Sequence, residues 1–179
     1  MEPRVALLRG INLGPRNRVA MPELRDLLSA AGFKDVRTYV QSGNVVLASD
    51  ADPAELEAEV ERLIAERFDL EVGVVVRTGG ELAEVVARNP LADVAVEPKR
   101  YQVTFLAEPL GPDQVERLAA LAAGSERFLA DGRELYAWHP DGVARSKLWA
   151  KLGSKGLGVK ATSRNWATVT TLLEMAEER

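Results

Sequence analysis

The chain has 179 residues, 46% of them hydrophobic, which bounds it to one domain or two small ones with enough apolar content for a buried core. With no cysteine and one histidine, disulfides, thiolate nucleophiles and cysteine-ligated zinc or iron–sulfur clusters are excluded, and an oxygen-ligated magnesium site is the metal option left open. The formal net charge of −4 argues against a surface that is basic throughout.

That charge is unevenly spread. Residues 1–45 carry seven Lys/Arg against four Asp/Glu and residues 143–179 seven against three, whereas residues 46–97 carry four against thirteen. No acidic residue occurs between Val143 and Trp166. The amino terminus lacks a basic stretch followed by an apolar run and a small-residue cleavage site, and eighteen apolar residues never occur in succession. A soluble cytoplasmic protein with no membrane partner is expected.

In chain order, alternation and β-branched residues predict strands at Arg4–Arg9, Val36–Gln41, Asn44–Ser49 and Val72–Arg77. A first helix places Met21, Leu24, Leu27, Leu28 and Ala31 on one face, has Pro22 in its first turn and stops at Gly32. A second, Pro53–Phe68, buries Leu56, Val60, Leu63 and Ile64 and turns Glu55, Glu57, Glu59, Glu61 and Glu66 to solvent. Thr78 and Glu81 form a capping box that opens a third helix. Beyond it, strands are predicted at Tyr101–Ala107, Arg127–Ala130, Glu134–His139 and near Gly158–Ala161. Helices are predicted at Pro112–Ala123, Val143–Leu152 and Arg164–Glu178.

This order, β-α-β-β-α-β-α given twice, predicts an α+β fold of two tandem ferredoxin-like (βαββαβ) repeats, each with an extra C-terminal helix. The repeats are placed at residues 1–90 and 99–179, joined by Asn89–Pro98. Thr78 and Thr162 take equivalent places before the closing helices.

The topology brings the loop after the first strand beside the hairpin of Gln41, Ser42, Gly43 and Asn44. That loop carries Arg9, Asn12, Arg16 and Arg18 among glycines ahead of a helix, a composition that collects an anion through backbone N–H groups and positive charge. Ser42 and Asn44 are candidates for its polar rim. Gly43 is also what a tight turn at positive φ requires. In the second repeat the same reasoning groups His139, Arg145, Lys147, Arg164 and Asn165 at two helix starts, as a second phosphate or carboxylate site. Trp166 is read as core.

The segments LLRGINLG (7–14), NRVAMPELRDLL (17–28), GFKDVRTYVQSGNVV (32–46), PDGVARSKL (140–148) and ATSRNWATVTTLLEMA (161–176) resemble the bacterial family known as domain of unknown function 1697. The resemblance implies tandem ferredoxin-like domains and carries no activity, cofactor or partner. Pro15 and Arg16 stand where glycine and lysine are usual in the family, and Pro15 removes a backbone donor from the loop. No Gly-Lys-Ser/Thr ending is present, so a P-loop is excluded.

The function expected is therefore a binding module for an anionic, phosphate-bearing ligand, a nucleotide or RNA. The alternatives are a metal-independent enzyme with Arg/Asn oxyanion donors and His139 or Asp141 moving a proton, or a structural or interaction protein. The sequence names no cofactor. Edge strands of two small sheets favour a homodimer. For RNA, the first sheet offers only Tyr39 on a face with Arg37 and Gln41, with no RNA-recognition aromatic signature; the second offers Tyr101, Phe105, Phe128, Tyr136 and Trp138, a face that in a two-repeat protein is more simply an interface between sheets.

Overall fold

In the computed structural model, which describes residues 1–178, the chain is an α+β protein with two four-stranded antiparallel sheets and six α-helices. It divides into two compact units. The first comprises Met1–Glu84 and the end of the chain from Thr171; the second is Val85–Thr170. The divisions fall inside two helices, and the Asn89–Pro98 stretch lies within the second unit, where Leu91 is buried.

The first sheet contains β1 (Glu2–Leu8), β2 (Lys34–Tyr39), β3 (Asn44–Ser49) and β4 (Val74–Thr78) in the order β2-β3-β1-β4. Alternation along β1 sends Ala6 and Leu8 to one face, where they meet α1 (Met21–Ala30) and α2 (Pro53–Phe68) through Leu24, Leu28, Leu56, Val60 and Ile64. Each of these leucine, valine and isoleucine side chains, fully removed from water, contributes about 1.5–3 kcal/mol. The helices have ordinary signals: Pro22 and Pro53 open them, and Asp52 accepts the Ala54 N–H to cap α2.

One expectation about α2 is overturned. Glu57 and Glu61 do not simply face solvent: their carboxylates accept the N–H groups of Val76 and Val74, each at 2.9 Å. β4 is an edge strand, and these two side chains occupy donors that would otherwise be open for pairing. Arg62, by contrast, bridges Glu59 and Glu66 on the exposed face.

The second sheet contains β5 (Tyr101–Leu106), β6 (Arg127–Asp131), β7 (Glu134–Trp138) and β8 (Ala161–Asn165) in the order β6-β7-β5-β8. Leu106, Leu135, Ala137 and Ala161 face α4 (Pro112–Ala119) and α5 (Lys147–Leu152), packing with Leu118, Leu148 and Leu152. The opposite face holds Tyr101, Phe105, Tyr136 and Trp138, all buried, with Trp166 stacked on Tyr101 at 4.7 Å between centroids. Those four rings are therefore not an open platform for bases, and Phe128 lies among the helix-side residues. Burial pushes the Tyr101 phenol up to about 12, against a hydrogen bond from the Leu91 N–H that favours ionisation.

The remaining helices are α3 (Gly79–Arg88) and α6 (Trp166–Glu177). The capping box of α3 is present: the Thr78 hydroxyl accepts the Glu81 N–H at 3.0 Å, and Glu81 accepts the Thr78 N–H at 2.8 Å. At α6 the boundary differs from expectation. Ala161–Asn165 is strand, and Asn165, not Thr162, caps the helix by accepting the Thr168 N–H at 2.9 Å. Thr78 therefore corresponds to Asn165, each being the last residue of its strand.

Candidate functional site

The loop between β1 and α1 is built from the inside out. Ile11 and Val19 are each 1% exposed and plug into the helix-side core, which fixes both limbs of the loop. Between them Asn12 adopts φ 55°, a left-handed conformation that asparagine tolerates, and its side chain is wholly committed. Nδ2 donates to the carbonyls of Val19 and Gln41, both at 2.8 Å, and Oδ1 accepts the Val19 N–H at 2.9 Å. The Asn12 N–H closes the loop on the Asn17 carbonyl at 3.0 Å.

The hairpin after β2 abuts this loop. The Leu8 N–H donates to the Gly43 carbonyl at 2.9 Å, and Asn12 reaches Gln41. At Gly43 φ is +84°, and a Cβ would lie 2.7 Å from the Leu8 Cβ and 3.0 Å from the Ile11 Cδ1. Only glycine lets the hairpin approach this closely. Asn44, fully buried, donates through Nδ2 to the Tyr39 carbonyl and to the Ser42 hydroxyl. Asn12 thus ties the loop to the hairpin, while Ser42 and Asn44 fix the hairpin's own turn.

The cations divide differently. Arg9 is half-buried and partnered within the protein. Arg16 and Arg18 are exposed and form no hydrogen bond or ion pair among the described residues. Elsewhere, Arg25, Arg37, Arg67 and Arg88 each meet a carboxylate: Asp26, Glu178, Glu23 and Asp131 respectively. The same loop exposes Leu13, 83% accessible.

In the second unit the expected convergence does not occur. Trp138 lies opposite Tyr101 and Asn165 opposite Gln102, so the end of β7 and the start of α6 do share one end of the sheet. The side chains, however, go to opposite faces. Arg164 lies opposite Val103 on the face of Tyr136; its guanidinium donates to the Thr162 hydroxyl at 2.7 Å and the Ser163 carbonyl at 2.8 Å. Burial pulls its pKa down to about 10. Arg77 occupies the matching position of β4, opposite Val5, and is fully buried. Sequence reasoning missed Arg77; its signal was an arginine in a valine strand, one residue before a capping box.

His139 lies on the helix side. Its ring is fully buried, edge-on to Trp149, with Nδ1 2.5 Å from a Glu126 carboxylate oxygen. Ser146 donates to the same oxygen at 2.7 Å while capping α5 through the Trp149 N–H. Burial opposes ionisation of Glu126, but hydrogen bonds from Ser146, His139 and the Ala123 N–H outweigh it and hold this carboxyl below its usual range. Neither Glu126 nor Ser146 stood out in the sequence.

This cluster has the residue types of a hydrolytic triad but not its arrangement. Serine and carboxylate both sit at Nδ1, while Nε2 is buried with no partner. It ties the turn before β6 to the start of α5. Arg145 and Lys147 are exposed nearby in sequence, and Asn165 is spent on its cap. Among the described residues, no group of three or more His, Asp or Glu side chains is arranged to hold a metal ion. No helix among them is long and apolar enough to cross a membrane.

The family model described as "Protein of unknown function (DUF1697)" matches residues 1–136. The chain belongs to this family. The DUF1697 match takes in the whole of the loop and hairpin and ends within β7. Among solved structures, the conserved bacterial protein SP0830 from Streptococcus pneumoniae is similar, with a TM-score of 0.79 at 23% identity over 98% of each chain. At that identity the likeness shows a shared fold. No curated protein matches this DUF1697 chain.

Proposed function

We propose that this protein binds a phosphate-bearing anion on the loop between β1 and α1, and that its two units are ferredoxin-like repeats of which the first carries the site. Both sheets have the same strand order relative to their chain order, which supports the repeat. The observation that carries the binding reading is the contrast within one loop. Ile11, Val19 and Asn12 fix its backbone, yet Arg16 and Arg18 are left exposed without a protein partner. A fixed backbone lowers the entropy lost on binding, and a guanidinium pairs with phosphate in a bidentate fork. The Arg9 N–H donates to the Gly73 carbonyl at the head of the loop, and Ser42 and Asn44 fix the turn of the hairpin against which the loop rests.

The test is a thermal-shift and titration series with inorganic tripolyphosphate and a short single-stranded oligonucleotide, comparing wild type with Arg16→Ala/Arg18→Ala. Binding that weakens at least tenfold in the variant supports the reading. A steep fall with salt marks a polynucleotide and a shallow one a small anion. Equal binding by both proteins removes these arginines from the site.

A further inference from the structure

Four large apolar side chains are substantially exposed among the described residues: Met1, Leu13, Val40 and Val96. Leu13 and Val40, 83% and 52% accessible, are the chain neighbours of Asn12 and Gln41, the two residues whose hydrogen bond joins the loop to the hairpin. Val40 is also strained: it is β-branched and held at φ 50°, a left-handed conformation such residues rarely adopt. Its half-exposed side chain gains too little packing within the protein to offset that strain.

We propose that the phosphate reaching this loop is presented by an anionic phospholipid surface, with Leu13 and Val40 entering the interface and Arg16 and Arg18 meeting the headgroups. This rests on the phosphate-binding reading above and revises the expectation of no membrane partner, which concerned spanning and targeting segments. The chemistry of the patch selects the occupant. Single-stranded RNA is gripped by stacking on aromatic rings, and the exposed side chains here are aliphatic. A stable protein partner covers about 800 Å² on each side, far more than two side chains at adjoining turns present. A bilayer interface asks only for a few protruding apolar groups beside cations, because headgroup charge supplies the rest. The anchors beneath, Ile11 and Val19, keep the tip rigid enough to enter without refolding.

The experiment is co-sedimentation of the full chain with vesicles of equal parts phosphatidylglycerol and phosphatidylcholine, and with vesicles of phosphatidylcholine alone. Tripolyphosphate and a single-stranded oligonucleotide serve as soluble competitors. The proposal predicts partition onto the anionic vesicles, reduced about tenfold by Leu13→Ser and by Val40→Asn, which keep both arginines and suit an exposed or left-handed position. Arg16→Ala/Arg18→Ala lowers it as well. Vesicle binding indifferent to Leu13→Ser and Val40→Asn overturns the insertion, and equal binding to phosphatidylcholine overturns the role of the arginines. Arginine-dependent binding of the soluble anions without vesicle binding overturns the lipid assignment and leaves the phosphate reading standing. Binding to none of these probes overturns both.

Discussion

Replacing Asn12 by alanine deletes three hydrogen bonds from one side chain. Each protein–protein hydrogen bond contributes about 1 kcal/mol net. The bonds to the Val19 N–H and carbonyl count in full because Val19 is buried, whereas the Gln41 carbonyl is exposed enough to recover water. Alanine at φ 55° adds strain of about 1 kcal/mol that asparagine largely escapes. The expected loss is about 2–4 kcal/mol. Urea denaturation followed by circular dichroism measures it, and hydrogen exchange at the Val19 amide reports the same bond locally. Asn12→Asp retains the acceptor for Val19 but sets a carboxylate against two carbonyls, so it should destabilise at least as much. A loss below about 0.5 kcal/mol, with the Val19 amide protected as in wild type, would refute the claim that this side chain fixes the loop.

Gly43→Ala should cost about 3 kcal/mol or more, because the new methyl meets Leu8 and Ile11 at a positive φ; an unchanged urea midpoint contradicts the close approach. Glu126→Gln should destabilise by roughly 2 kcal/mol at neutral pH. Since the folded carboxyl titrates below its ordinary 4.5, its contribution is complete above that value and is lost as the pH falls through the folded value. The gap between wild type and Glu126→Gln should therefore close on acidification, and a gap that widens below pH 4.5 contradicts the assignment. Glu57→Ala/Glu61→Ala leaves the Val74 and Val76 amides open on β4, and sedimentation should show more self-association than wild type; identical behaviour means the edge was not protected by these carboxylates.

Much of the architecture was legible because the apolar period was strong. Pro53–Phe68 forms a helix with the bounds its pattern predicts, and the Thr78/Glu81 capping box is where its spacing places it. Placing the Arg9–Arg18 loop beside the hairpin followed from strand order, and the Leu8–Gly43 and Asn12–Gln41 bonds realise it. What failed did so for local reasons. The pattern places Thr162 just ahead of the closing helix, but its neighbours in β5 draw it and Ser163 into a strand; Thr104 bonds Ser163 at 2.7 Å. Shifting that boundary reverses which face Arg164 occupies, and with it the expected meeting with His139. Glu57 and Glu61 look like solvated charge in a one-dimensional pattern, because β4 acquires its free edge only in the folded sheet.

Most directly, the central claim is tested by side-chain NMR of the arginine Nε–H groups during titration with tripolyphosphate. The fixed loop with two unspent guanidinium groups predicts saturable shifts at Arg16 and Arg18, while the buried Arg77 and Arg164 stay still. Shifts spread evenly over all exposed arginines, or none at Arg16 and Arg18, would contradict it.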